Sequence, residues 1–171
     1  PLFASESFEN TSRRGLYGDV IEELDWSVGQ ILDTLRTLHL DGKTLVLFTS
    51  DNGPWLSMKL NGGCAGLLRG GKFTTWEGGH REPGLAWWPN TIPAGTVNMT
   101  MASTLDVMPT LLDFAGIEIP TDRVMDGYSL RDTLTRCTES PREVMFYYSG
   151  PTLRAVRWRQ WKLHLQEPKS E

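Results

Sequence analysis

The sequence predicts an α/β protein, a sheet flanked by helices, followed by the start of a small antiparallel β subdomain. Three observations carry that prediction. Val20, Ile21, Leu24, Val28, Ile31, Leu32 and Leu35 recur at helical spacing with Asp19, Glu22, Glu23 and Asp33 between them. This spacing predicts an amphipathic helix over residues 18–38. The apolar run Leu45-Val46-Leu47-Phe48 follows at once and predicts a strand over residues 44–49, buried on both faces. A helix laid on a doubly buried strand is the usual grammar of an α/β sheet. From Glu143 onward the period changes: residues 144–148, 153–157 and 161–165 are short, aromatic and β-branched, with Ser149-Gly150-Pro151 as a turn. They predict an antiparallel meander.

The remaining elements fall into order between these. Gly42 is expected to take the left-handed position that stops the first helix. The span from Gly53 to Gly84 holds eight glycines after the first and few periodic apolar residues. It is too long for a passive connection and is a candidate functional segment. Leu85-Ala86-Trp87-Trp88 reads as a short strand closed by Pro89. Asp106 is expected to cap a helix running to Ala115, with Pro109 in its first turn and Gly116 as its stop. Ser129-Leu130-Arg131-Asp132 has the pattern of a capping box for a short helix. The expected division is a larger α/β part over residues 1–140 and a small subdomain beginning within 141–171. The polar tail from Gln166 to Glu171, and a start at Pro1 without Met, lead us to expect a processed product or a piece of something longer.

Composition narrows the function classes. At 171 residues and 39% hydrophobic, the chain can build one core, with one to two domains expected. Its formal net charge is −4 and no basic stripe appears, which argues against a nucleic-acid binder. The apolar runs are far shorter than a membrane span. Two cysteines, Cys64 and Cys137, make neither a disulfide scaffold nor a zinc cluster. They can pair with each other or with partners elsewhere. Asn10-Thr11-Ser12 and Asn98-Met99-Thr100 are N-glycosylation acceptor patterns, available if the protein is secretory.

The most informative motif is Ser50-Asp51-Asn52-Gly53-Pro54, at the carboxyl end of the expected strand. In open α/β sheets that edge is where ligands bind. A carboxylate and a carboxamide there offer hard oxygen donors suited to calcium or magnesium. The same letters also serve as an ordinary Asx turn, since Asn-Gly and Gly-Pro are common loop punctuation. Gly66-Leu67-Leu68-Arg69-Gly70-Gly71-Lys72-Phe73 nearly spells a P-loop, but Phe73 replaces the hydroxyl residue that would hold magnesium. That motif should also follow a strand rather than a loop, so a nucleotide site is rejected. Lys72 remains notable, because an ammonium among flexible glycines can reach an anionic ester; it can equally be a solvated surface lysine. His39 is read as a helix-end or surface residue and His164 as structural. His80, inside the glycine-rich segment, is a candidate to line a site.

Taken in order, Ser50-Asp51-Asn52-Gly53-Pro54, Leu68-Arg69-Gly70-Gly71-Lys72 and Trp76-Glu77-Gly78-Gly79-His80-Arg81-Glu82-Pro83 resemble the sulfatase family. Trp87-Trp88-Pro89, Pro93-Ala94-Gly95, Leu105-Asp106-Val107-Met108-Pro109-Thr110-Leu111 and Asp126-Gly127 continue the resemblance. Phe146-Tyr147-Tyr148 with Trp161-Lys162-Leu163-His164 is similar to the start of the family's carboxyl-terminal subdomain. Within the family, the chain is most similar to the subgroup of arylsulfatase A and N-acetylgalactosamine-6-sulfatase.

The resemblance implies an alkaline-phosphatase-like α/β fold and hydrolysis of sulfate esters by a hydrated formylglycine, with one calcium ion against the sulfate. Asp51 and Asn52 match the family's second pair of calcium ligands, and Lys72 matches the lysine that contacts the sulfate. The departures are equally specific. The first two metal-ligand aspartates and the C-x-P-x-R cysteine have no match in this chain. Cys137-Thr138-Glu139-Ser140-Pro141-Arg142 only scrambles that motif, and Cys64-Ala65-Gly66 fails it, so no nucleophile is assigned. Pro1-Leu2-Phe3 resembles the residues that directly follow a catalytic histidine. Some relatives carry a disulfide cysteine where this chain has Gly70, which leaves the pairing of Cys64 and Cys137 open. The resemblance implies a sulfated glycan, sulfolipid or aryl sulfate as substrate and a lysosomal or secreted location, and it leaves homo-oligomerisation open. The segment alone is expected to be inactive. The alternatives are a phosphatase or phosphodiesterase of the same superfamily, disfavoured by the Asp-Asn pair, and a non-catalytic binding protein derived from a sulfatase.

Overall fold

A computed structural model describes residues 2–167. They form two compact units, one from the amino terminus to Leu85 and the other Ala86–Gln166.

The first unit is led by α1, Gly15–Thr37. Its end differs from the expectation in a physically simple way. His39, with φ 55, takes the left-handed position, while Gly42 lies in a 3-10 turn, Asp41–Lys43. The His39 amide donates to Arg36 O (3.0 Å) and the Leu40 amide to Leu35 O (2.9 Å). That pair of bonds is a Schellman closure, which satisfies carbonyls the helix leaves open. Asp19, expected on the polar face, is buried. Its carboxylate accepts the Asn10 amide (3.0 Å) and the Ser12 amide (2.8 Å), so it anchors the loop that enters the helix.

The strand β1 spans Val46–Thr49 and pairs with β2, Gly84–Trp87, in a two-stranded sheet. The expectation that β1 is buried on both faces is corrected: Leu47 is 38% and Phe48 37% exposed. An apolar strand is doubly buried only when a layer covers each face. The described residues leave these two side chains open. Beyond β1, the chain makes a 3-10 segment, Leu56–Asn61, and a one-turn helix α2, Glu77–His80.

In the second unit, Asp106 stands at the N-cap of a helix with its C-cap at Ala115, as expected, but its side chain closes the preceding turn with Ser103 instead of capping the helix. The Ser103 hydroxyl accepts the Leu105 amide (3.2 Å) and Asp106 Oδ2 accepts the Ser103 amide (2.8 Å), a reciprocal cap. A 3-10 turn, Thr104–Asp106, leads into α3, Val107–Phe114. Gly116, at φ 67, stops it as expected, with the Ile117 amide donating to Leu112 O (2.9 Å). The short helix α4, Arg131–Arg136, forms without the expected capping box; Ser129 Oγ instead accepts the Arg131 amide (3.2 Å) and donates to Asp113 Oδ2 (2.5 Å).

The centre of this unit is a buried ion pair. Asp106 is 0% and Arg142 7% exposed. Arg142 Nη2 donates to Asp106 Oδ1 (2.5 Å) and to Asp126 O (2.8 Å), and Nε donates to Asp106 Oδ2 (2.9 Å). Asp106 Oδ1 also accepts the Tyr128 amide (2.9 Å). One carboxylate thus joins the start of α3, the 126–128 loop and the segment before β3.

The meander appears as expected, with β3 Val144–Ser149, β4 Thr152–Trp158 and β5 Trp161–His164. It is antiparallel in the order β3-β4-β5, with Phe146 opposite Val156 and Ala155 opposite His164. A bulge between Tyr147 and Tyr148 shifts the register, and Tyr147 and Ala155 are its buried residues. Pro1 and most of the polar tail, residues 168–171, lie outside the described residues.

Candidate active site: strand end, glycine stack and Lys72

The candidate site lies in the first unit and is built from main chain. Where β1 ends, the Thr49 hydroxyl donates to Pro83 O (3.0 Å) and the Ser50 hydroxyl to Asn52 O (2.9 Å). The Gly53 amide then donates to Gly79 O (3.2 Å). Gly53 has to be glycine, because a Cβ there would overlap the Gly78 carbonyl. A Cβ at Gly78 would in turn overlap the Gly70 carbonyl, and one at Gly79 the Gly71 carbonyl. Backbone therefore packs on backbone through three consecutive layers, which only residues without side chains permit.

This stack carries Lys72 to the strand end. The Lys72 amide donates to Pro54 O (2.8 Å), two residues beyond Asn52, and the Gly78 amide donates to Arg69 O (2.8 Å). The turn after Lys72 is closed by Thr74, whose amide (3.1 Å) and hydroxyl (2.8 Å) both donate to Gly71 O. The Lys72 ammonium lies 5.4 Å from the Trp55 ring centroid and 5.5 Å from that of Phe73.

The oxygen donors at the strand end are open. Asp51 is exposed, and its carboxylate has no hydrogen-bond partner among the described residues. Asn52 uses its amide nitrogen to donate to Gly53 O (3.3 Å), which leaves its Oδ1 for another partner. Glu82 carries a buried Oε1 with no hydrogen-bond partner among the described residues. Burial, and then the charge of Asp51, push the Glu82 carboxyl above its ordinary pKa. A carboxylate and a carboxamide oxygen, with uncompensated negative charge beside them, fit a hard divalent cation. Among the described residues there is no group of three or more His, Cys, Asp or Glu that could hold a metal ion.

A sulfatase family model matches residues 3–117. The chain belongs to the sulfatase family. It is 48% identical over 167 residues to N-acetylgalactosamine-6-sulfatase from Sus scrofa, a match covering 96% of the chain and 31% of that relative. Steryl-sulfatase from Homo sapiens is 42% identical over 163 residues, covering 92% of the chain and 28% of the relative. Among solved structures, PsFucS1 sulfatase from Pseudoalteromonas sp. matches with a TM-score of 0.87 at 33% identity, over 94% of the chain and 32% of that structure. The expected alkaline-phosphatase-like α/β fold, present in part, is thereby established. The sulfatase chain described here spans 31% of the length of the first of these relatives.

Among the residues singled out from the sequence, Asp51, Asn52 and Lys72 come together on one backbone framework. His80 is the exposed last residue of α2. Asn10 and Asn98 are both exposed; Asn98 Oδ1 accepts the Thr100 amide (2.9 Å) and hydroxyl (2.8 Å), and its Nδ2 donates to Thr138 O (3.0 Å). Cys64 and Cys137 are each exposed and carry free thiols. Sequence reasoning missed Glu82, Trp55 and Phe73. Glu82 sat inside a quoted motif without a role. Phe73 served only to exclude a P-loop, and its backbone φ of 71 leaves no mark in the letters.

Proposed function

We propose that the protein to which this chain belongs hydrolyses sulfate esters, converting R–O–SO₃⁻ and water to R–OH and sulfate. The observation that carries this reading is the bond from the Lys72 amide to Pro54 O, which ties a cationic side chain to the strand end bearing Asp51 and Asn52. In this reading Asp51 and Asn52 are ligands of one calcium ion whose other ligands lie outside this segment. The bound ion would polarise the sulfuryl oxygens. Lys72 would contact the sulfate and offset the negative charge that grows on the ester oxygen as it leaves. His80 remains a candidate site-lining residue, and no residue of this chain is assigned as nucleophile.

The names of the relatives support a sulfated ring as substrate, a sulfated sugar for one and a steryl sulfate for the other. An aryl sulfate or a sulfolipid belongs to the same chemistry. We place the protein in the lysosome or outside the cell, where Asn10 and Asn98 could carry glycans. Residues 1–140 would then belong to the catalytic domain and residues 141–171 to the start of the carboxyl-terminal subdomain.

The test is sulfate release by the full-length protein. Lys72→Ala should lower kcat roughly a hundredfold, the usual scale for removing one charge-stabilising donor. Asp51→Asn should weaken calcium binding measured by calorimetry. Undiminished sulfate release in the lysine variant would overturn the assignment. The 171-residue chain alone should release no sulfate from an aryl sulfate, and measurable release would refute that part of the reading.

A further inference from the structure

Lys72 stands in an aromatic corner that the chemistry above does not use. The Trp55 and Phe73 rings meet edge to face, with centroids 5.9 Å apart and planes at 87°. The Lys72 ammonium lies near both. Trp55 is 46% and Phe73 76% exposed, so neither ring is packed into a core of the described residues. Phe73 also holds φ 71, a left-handed backbone that a bulky residue rarely adopts. Glycine would fit there more easily, and the neighbouring turns are rich in glycine. Such backbone strain persists where the surroundings impose it, and it concentrates at ligand sites.

We propose that Trp55 and Phe73 are specificity-determining residues that receive the flat apolar face of the ring bearing the sulfate, while Lys72 between them takes the sulfate itself. The inference rests on the sulfate-contacting role of Lys72 argued above. An aromatic face carries negative charge density and attracts both a nearby ammonium and polarised C–H groups. A corner of two rings with an ammonium against both is therefore complementary to a ligand that is apolar on one face and anionic at one edge. A sulfated pyranose, an aryl sulfate and a steroid sulfate share that chemistry. A short acyclic alkyl sulfate has the anion without the face.

The test is initial-rate kinetics on the full-length protein with calcium supplied. The probes are 6-sulfated N-acetylgalactosamine, phenyl sulfate, a steroid sulfate and methyl sulfate as substrates, with inorganic sulfate as inhibitor. Trp55→Ala and Phe73→Gly should each raise KM for at least one ring ester about fivefold, the scale of one lost ring contact. Both should leave KM for methyl sulfate and the inhibition constant of inorganic sulfate unchanged. The ring ester most affected identifies the ring that the corner accepts. Phe73→Gly should also keep its thermal midpoint, because glycine accommodates φ 71.

The proposal is overturned if no ring ester is affected, if inorganic sulfate is affected equally, or if Phe73→Gly unfolds the protein and so shows the ring to be structural. Lys72→Ala separates the two levels. An unchanged inhibition constant for inorganic sulfate in that variant removes the role of the lysine, whereas an aromatic null with a lysine effect removes only the corner. Absence of turnover by the wild-type protein overturns both.

Discussion

The glycine stack of the first unit and the Asp106–Arg142 clasp of the second solve opposite problems. In the stack, main chain binds main chain: Gly53 to Gly79, Gly78 to Arg69 and Lys72 to Pro54. Side chains are left over: the Asp51 carboxylate and the Lys72 ammonium take no part in that framework, and Asn52 lends it only its amide nitrogen, to Gly53 O. In the clasp, side chains bind main chain and one another. The Asp106 carboxylate accepts two amides and a guanidinium, and nothing of it remains for a ligand. A polar cluster can hold the fold or meet a ligand, and the number of bonds it already makes tells which. Asp106 and Asp51 are both aspartates at element boundaries, yet one is sealed and the other open.

The largest test of this contrast is Asp106→Ala. It leaves Arg142 buried and unpaired, and should lower unfolding free energy by about 3–5 kcal/mol. Denaturant unfolding of the protein measures it, and a loss below ~1 kcal/mol would mean the clasp is better solvated than its burial indicates. Next comes Gly78→Ala, which forces a methyl group into the Gly70 carbonyl and should destabilise by about 1–3 kcal/mol. Its effect should stay in the first unit. Hydrogen exchange should accelerate at the Lys72 and Gly53 amides while the Tyr128 amide keeps its protection, and uniform acceleration would erase the distinction between the regions.

Glu82→Gln is smaller and opposite in sign. Removing a charge that Asp51 opposes should raise stability by no more than about 0.5 kcal/mol in calcium-free buffer, because solvent screens a side chain that is only partly buried. A lowered thermal midpoint would show that Glu82 has a partner that neutral glutamine cannot satisfy.

The smallest effect is a pH dependence. Hydrogen bonds from Ser129 and then Arg131 hold the Asp113 carboxyl below its ordinary pKa. A depressed folded value means the stabilisation is present above the unfolded pKa and is lost as pH falls through the lower folded one. Ser129→Ala should therefore lower stability slightly at neutral pH, where that stabilisation is present, and flatten the acid limb, so that variant and wild-type curves converge at the acid end. An acid limb of unchanged steepness would show that the hydroxyl does not hold this carboxyl.

Much of the chain was legible in its letters. The amphipathic period gave α1 to within three residues at its start, and the change of period at Glu143 gave the meander. Gly116 stopped its helix as its type demands. His39 stopped α1 instead of Gly42, because the left-handed closure depends on which carbonyls lie open at the last turn and not on the nearest glycine. The ordered motifs singled out Asp51, Asn52 and Lys72 as candidates, and the structure sets them on one backbone framework. Asp19 read as a solvated helix residue and is buried, because its partners are loop amides that no periodicity reports.

The sequence by itself determined the class of fold, the family and the residue types available to an anionic ester. Those properties reside in local pattern and in motifs whose order survives along the chain. Tertiary structure alone decided which carboxylates are sealed and which are open, and that Phe73 stands in a left-handed backbone beside Lys72. It also decided that glycines far apart in the chain must be glycines because carbonyls press against them. Such facts arise from the approach of distant backbone, and a Cβ that would collide with it cannot be counted from composition. The open oxygens of Asp51 and Asn52 belong to this second kind, since their freedom is defined by what the rest of the fold leaves unbonded.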